Sequence, residues 1–135
     1  MQRNSMNIKL SLFITLATLG GNIHAETVRE RLNTKLQITK AQFSHNLNEY
    51  NSPSKNQVDE TFELRTRQSL LEEMLDCIDK YEHIDKDGQL IAALCSADIS
   101  NTLNEQYKYH SNKKFLELTL KELKKINQEE NLEIS

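Results

Sequence analysis

The sequence predicts an all-α protein, a small bundle of three to four helices with a central disulfide-stapled αα-hairpin, behind an N-terminal export signal. Three observations predict this fold. Apolar residues recur every three or four positions along most of the 135-residue chain. Helix-breaking residues are rare, since the chain has 3 Gly and 1 Pro. The 2 cysteines lie at equal distances on either side of a polar turn.

Residues 1–25 have the pattern of a secretory signal peptide. Arg3 and Lys9 give a basic start, and an apolar run from Leu10 to Leu19 follows. The segment ends on the small residue Ala25, and Glu26 is the first acidic residue. This order predicts cleavage near Ala25 and a periplasmic or secreted protein. Because the apolar run is about half the roughly 20 residues that span a bilayer, we expect no stable membrane insertion after cleavage.

Residues 26–135 are expected to form a single helical domain with a modest core. The chain carries 17 Lys and Arg against 20 Asp and Glu, a net charge of −3, and cleavage near Ala25 would make it more acidic. A nucleic-acid-binding domain needs a basic face, so we expect no nucleic-acid partner.

The first predicted helix runs from Glu26 to Tyr50, where Pro53 disfavours its continuation. Ser54 and Gln57 then form a predicted capping box, in which each side chain accepts a backbone N–H of the other residue. The apolar stripe of this first helix comprises Val28, Leu32, Leu36, Phe43, Leu47 and Tyr50, with Thr39 in its gap.

Three further helical patterns follow. The register of the second is open across its polar middle, residues 63–69, and Ser111-Asn112 either separates the last two helices or kinks one long helix. The acidic tail, residues 128–135, is expected to fray. The inward positions are Val58, Phe62, Leu71, Leu75, Ile78 and Tyr81, then Ile91, Leu94, Cys95, Ile99, Leu103, Tyr107 and His110, and finally Phe115, Leu116, Leu120, Leu123 and Ile126.

Cys77 and Cys95 each lie nine residues from Lys86, in the middle of the turn between the second and third helices. Two helices that fold back about this turn bring the cysteines level with each other. In an oxidising compartment we expect a disulfide between them, which adds roughly 3 kcal/mol of stability. The apolar pairs expected to face each other beside it are Ile78 with Leu94 and Tyr81 with Ile91.

The turn itself, His83–Leu90, resembles part of a calcium-binding EF-hand loop. The first ligand position is His83 rather than Asp, and the twelfth is Leu94 rather than the Glu that closes such a site. We therefore predict no metal site and a plain turn, in which Gly88 reverses the chain and Asp87 caps the next helix.

No catalytic pattern is evident. The histidines after residue 25 are His45, His83 and His110, and none lies in a nucleophile motif. We expect no catalytic residues, no cofactor and no enzymatic activity.

The run Leu103–Tyr107 resembles the Leu-Asn-x-x-Tyr signature of small cysteine-containing periplasmic proteins related to lysozyme inhibitors. The signature covers five residues, and the acidic residue that usually precedes it is Ser100 here. Leu103 and Tyr107 are equally expected as core positions one helical turn apart, so the run alone does not assign a family.

These observations lead to a functional hypothesis: a small exported, non-catalytic protein that binds another protein. An inhibitor or immunity protein that occludes a cell-wall-degrading or toxic enzyme fits this description, because such proteins act through a few anchoring side chains. The alternatives are a periplasmic stress chaperone and an accessory component of a secretion or conjugation system.

Overall fold

The computed structural model describes residues 26–81 and 83–132. These residues form an all-α bundle without strands, which confirms the predicted fold class: α1 (Val28–Glu49), α2 (Lys55–Tyr81), α3 (Gln89–Tyr109) and α4 (Lys113–Glu130). No helix within the described part of the chain is long and apolar enough to cross a membrane. The predicted signal peptide, residues 1–25, lies outside the described residues.

The start of α2 is fixed by the predicted capping box. The Ser54 N–H donates to Gln57 Oε1 at 2.9 Å, and the Gln57 N–H donates to Ser54 Oγ at 3.3 Å. Thr27 caps α1 in a related way, because its hydroxyl accepts the N–H of Glu30 at 3.2 Å. Local side-chain chemistry therefore sets both helix starts.

The turn between α2 and α3 uses a different cap from the one expected. Gly88 takes the left-handed conformation at φ 72°, which glycine adopts at little cost. The cap is Asp85 rather than Asp87, since Asp85 Oδ2 accepts the Leu90 N–H at 2.9 Å and Oδ1 accepts the Asp87 N–H at 3.2 Å. The prediction that Asp87 caps α3 was therefore wrong. The capping carboxylate belongs to Asp85, three residues before Gly88.

Asn112 separates α3 from α4 and resolves that open question. Its side chain accepts the N–H of Phe115 at 3.1 Å and so begins a new helix. At the other end, α4 continues to Glu130, and left-handed Asn131 turns the chain so that Leu132 is buried in the core. The helix therefore extends into the segment expected to fray, and Leu132 packs against the bundle. Residues 133–135 lie outside the described part.

The disulfide between Cys77 and Cys95 is present and links α2 to α3, with a Cα–Cα distance of 5.9 Å. The seam beside it differs from the prediction. Ile78 and Ile91 are buried, whereas Leu94 and Tyr81 are about half exposed. Residues at the same height on two helices face each other only if each helix is rotated about its own axis so that both side chains point to the partner. The rotation of α3 instead buries Ala92, Ser96 and Ile99 together with Cys95.

The two ends of the bundle are built differently. At one end, which we call the tied end, the start of α1, the α2–α3 turn and the end of α4 meet. The Val28 N–H donates to the Asp87 carbonyl at 3.4 Å, and Gln89 Nε2 donates to the carbonyls of Glu130 and Asn131 at 3.2 and 3.0 Å. Together with the disulfide, these contacts cross-link three chain segments.

The opposite end, which we call the open end, contains the α1–α2 loop (residues 50–54) and the α3–α4 junction (residues 110–112). Phe62, two turns into α2, contacts Phe115 near the start of α4, with ring centroids 5.8 Å apart in an edge-to-face arrangement. Within the described chain, residues 50–54 form no hydrogen bond to α3 or α4. The last turns of the α1–α2 hairpin therefore rely on contacts between these two helices and on the Phe62–Phe115 pair.

Candidate binding groove at the open end

A network of ion pairs fastens α4 to α1 and α2. Glu130 is buried and contacts both Arg31 at 2.7 Å and Lys35 at 2.9 Å. Arg67 bridges Glu122, at 3.2 Å, and Glu129. Each charge in this network has an opposite charge beside it. The cluster therefore positions α4 and leaves no charged group unpaired for a ligand.

The network makes the free energy of unfolding depend on pH in the acidic range. Burial raises the pKa of the Glu129 carboxyl, but hydrogen bonds and charge attraction from Arg67 and Lys35 outweigh it and hold this pKa below the ordinary value of 4.5. Stability from a carboxylate with a lowered pKa is complete above its unfolded-state pKa and is lost as the pH falls through the folded-state value. The stability that Glu129 contributes is therefore lost at pH values below about 4.5.

We expect Glu129→Gln to flatten the pH dependence of unfolding below this pH. Because the Glu129 side chain is 38% exposed, the change should be less than about 1 kcal/mol. Urea unfolding between pH 7 and pH 3 measures it, with Glu73→Gln, an exposed carboxylate on α2, as the control. An unchanged slope in Glu129→Gln, or the same flattening in Glu73→Gln, would contradict this assignment.

The structure does not bring the sequence-derived polar candidates together. His83 and Asp87 are exposed, and the carboxylate of Asp85 is engaged in capping α3. His110 accepts the Asn112 N–H and stacks on Phe115. Across residues 26–81 and 83–132, no three His, Cys, Asp or Glu side chains are placed to hold a metal ion.

A groove of about 300 Å³ lies instead between the last turns of α1 and the first turns of α2. Its α1 and α2 residues both recur at helical spacing, so two side-chain stripes face each other across it. No residue of α3 or α4 lines the groove, because these helices cover only the part of the α1–α2 hairpin nearer the tied end. Its apolar walls are Phe43, Leu47, Tyr50, Pro53, Val58 and Phe62.

Several groove side chains that we expected in the core are exposed. Leu47 is 60% exposed, and Val58 and Phe62 also reach solvent. A stripe predicts which side of a helix is apolar, but it does not predict how far along the helix a partner helix extends. The apolar stripes of α1 and α2 run past the end of the α3–α4 cover, which leaves an apolar surface at the open end.

Asn46 lies in this groove, and sequence analysis missed it. The residue is 1% exposed, and neither Nδ2 nor Oδ1 has a hydrogen-bond partner among the described residues. Such an unsatisfied group costs about 1–3 kcal/mol. The available signal was its position, since Asn46 follows Phe43 by three residues on the apolar stripe.

Arg65 is the one charged side chain among the described residues that line the groove. It lies one turn after Phe62 on α2. It forms no hydrogen bond or ion pair with the described residues, whereas Arg31 and Arg67 are both paired with carboxylates. With respect to the described residues, the groove thus combines apolar walls, a carboxamide without a hydrogen-bond partner and an unpaired cation.

Comparison of this chain with protein-family models, with curated proteins and with solved structures gives no match in any of the three.

Proposed function

We propose that this protein is a non-catalytic binding protein that captures a partner protein in the groove at the open end. The observation that carries the proposal is the groove itself, whose apolar walls include the solvent-exposed side chains Leu47, Val58 and Phe62. Aromatic anchors that fill or line a pocket supply most of the affinity of many protein complexes. The tied end, with its disulfide and ion pairs, acts as the rigid support that such a site needs.

We further propose that the protein acts in the periplasm or outside the cell as an inhibitor or immunity protein for a cell-wall-degrading or toxic enzyme. The signal-like pattern of residues 1–25 and the Cys77–Cys95 disulfide support an oxidising compartment. A net charge of −3 argues for a protein partner rather than a nucleic acid. On this proposal the bound partner loses activity because its own site is covered.

Two leucines provide a matched test. Leu47 is 60% exposed in the groove, and Leu90 is 59% exposed at the tied end, so Leu47→Glu and Leu90→Glu place the same charge at equal exposure. A partner isolated from periplasmic extract is purified and titrated by calorimetry against each variant. We expect a one-to-one complex that Leu47→Glu weakens by at least about tenfold and that Leu90→Glu leaves unchanged.

Equal affinity of both variants, or selective loss in Leu90→Glu, would overturn the assignment of the groove. Enzymatic activity of the partner, measured with and without saturating protein, tests the inhibitor role separately. Full activity in the saturated complex would remove that role.

The exposed groove also favours a second candidate, a periplasmic stress chaperone that holds unfolded proteins through apolar side chains. A chaperone suppresses aggregation of several unrelated clients and binds none of them in a saturable one-to-one complex. Light scattering of two unrelated denatured proteins distinguishes the roles: suppression of both, reduced by Leu47→Glu, would replace the proposal with this candidate.

A further inference from the structure

The polar groups of the groove restrict what it can bind. Asn46 carries a donor, Nδ2, and an acceptor, Oδ1. Both are buried, and neither has a hydrogen-bond partner among residues 26–81 and 83–132. A ligand that satisfies this carboxamide must offer a donor and an acceptor on the same side. The N–H and C=O of one residue in an extended peptide point to the same side and meet that requirement.

Arg65 adds a charge requirement. A guanidinium binds a carboxylate through two parallel hydrogen bonds, which are among the stronger polar contacts in proteins. Within the part of the chain that the structure describes, no acidic residue lines the groove to pair with Arg65. The nearby acids Asp59 and Glu63 on α2 are outside the lining. The charge of the groove is therefore complementary to an anionic ligand.

We infer that the groove binds the C-terminal end of a partner polypeptide whose last side chain is apolar. This inference rests on the proposed function and names the part of the partner that enters the groove. The terminal carboxylate pairs with Arg65, the penultimate residue bonds to the Asn46 carboxamide, and the last side chain packs between the walls around Phe43 and Phe62. Because the Asn46 polar atoms are covered in the free protein, lining side chains move aside when the peptide enters.

Two other ligand classes fit less well. A fatty acid provides a carboxylate and an apolar tail, but it has no donor for Asn46 Oδ1. An internal loop of a partner provides peptide groups but no terminal carboxylate for Arg65. The volume of about 300 Å³ also favours the end of a chain over a long segment, because it is at the lower limit of ligand pockets.

Peptide titrations followed by ¹H–¹⁵N NMR test this inference on the full chain with its disulfide intact. The probes are N-acetyl-Ala-Ala-Phe with a free carboxylate, the same peptide as a C-terminal amide, and dodecanoate. We expect shifts of groove residues and an affinity for the free acid about tenfold above that for the amide. Dodecanoate should bind more weakly than the free acid.

Variants assign the contacts. Arg65→Gln should abolish the preference for acid over amide, whereas Lys55→Gln, an exposed cation on α2 outside the groove lining, should retain it. Methylation of the backbone nitrogen of the penultimate residue should weaken binding to the wild type about tenfold and have no effect in Asn46→Leu.

Four results would overturn the inference: equal binding of acid and amide, no binding of any peptide, a preference for the acid that survives in Arg65→Gln, or tighter binding of dodecanoate. If partner capture still depends on Leu47, such a result removes the C-terminal ligand but leaves the proposed function in place. If Leu47→Glu captures the partner normally, the proposed function itself is wrong.

Discussion

Replacing both half-cystines with alanine, Cys77→Ala with Cys95→Ala, should lower the free energy of unfolding by about 3 kcal/mol. The disulfide closes a loop with a sequence separation of 18 and so limits the conformations of the unfolded chain. It also connects α2 to α3 near the tied end, where the other cross-links gather. For a domain of this size the loss corresponds to a fall in melting temperature of about 10–20 °C.

Urea unfolding at pH 7, followed by circular dichroism, measures this change. Wild-type protein held in reductant is the matched control, because it loses the same covalent link and retains every side chain. Reduced wild type and the double variant should agree within about 1 kcal/mol. A loss below 1 kcal/mol in both would show that the disulfide is not a main support of the bundle.

Asn46→Leu should have the opposite sign and raise the free energy of unfolding by about 1–3 kcal/mol. The substitution keeps the branched four-atom side chain, although Leu is larger than Asn. It removes two buried polar atoms that have no partner among the described residues, and it adds apolar contact with the groove walls. Few single substitutions in a natural core are stabilising to this extent. Such a gain is expected under the proposed binding role of Asn46, because natural proteins are not selected for maximal stability.

The control is Asn48→Leu, because Asn48 is on the same helix and exposed to solvent. Its effect should stay within about 0.5 kcal/mol. Both variants are compared by thermal and urea unfolding. Destabilisation of Asn46→Leu by 1 kcal/mol or more would mean that the native carboxamide makes hydrogen bonds that hold α1 in place.

Local chemistry was predictable from the sequence. The Ser54–Gln57 capping box depends on residues three apart, and the Cys77–Cys95 pairing depends on one short turn. The capping residues are near neighbours in sequence, and the chain has 2 cysteines, so neither pairing has a competitor within the chain. The all-α fold class follows from the same kind of short-range pattern.

Features that depend on the third dimension were not predictable. The exposure of Leu94 depends on how α3 is rotated about its axis, which a level pairing of residues does not specify. The burial of Leu132 depends on the left-handed turn at Asn131 after α4. The spacing of apolar residues specifies neither the rotation of a helix about its axis nor the turn that follows a helix.

The groove is the main feature that the sequence did not predict, and it forms because of how far the helices extend. The apolar stripes that contain Phe43 and Phe62 continue after the cover of α3 and α4 ends. Only the packed bundle shows that, among the described residues, Asn46 is buried without a hydrogen-bond partner and Arg65 has no carboxylate paired with it. The site is therefore a consequence of where tertiary contacts stop, which single-helix periodicity does not contain.

We propose that the open end is retained for binding at the expense of stability. The most direct test measures the melting temperature of Asn46→Leu and its affinity for N-acetyl-Ala-Ala-Phe in the same preparation. We expect a higher melting temperature and an affinity about tenfold below that of the wild type. A lower melting temperature together with weaker binding, or a higher melting temperature with unchanged affinity, would contradict the claim.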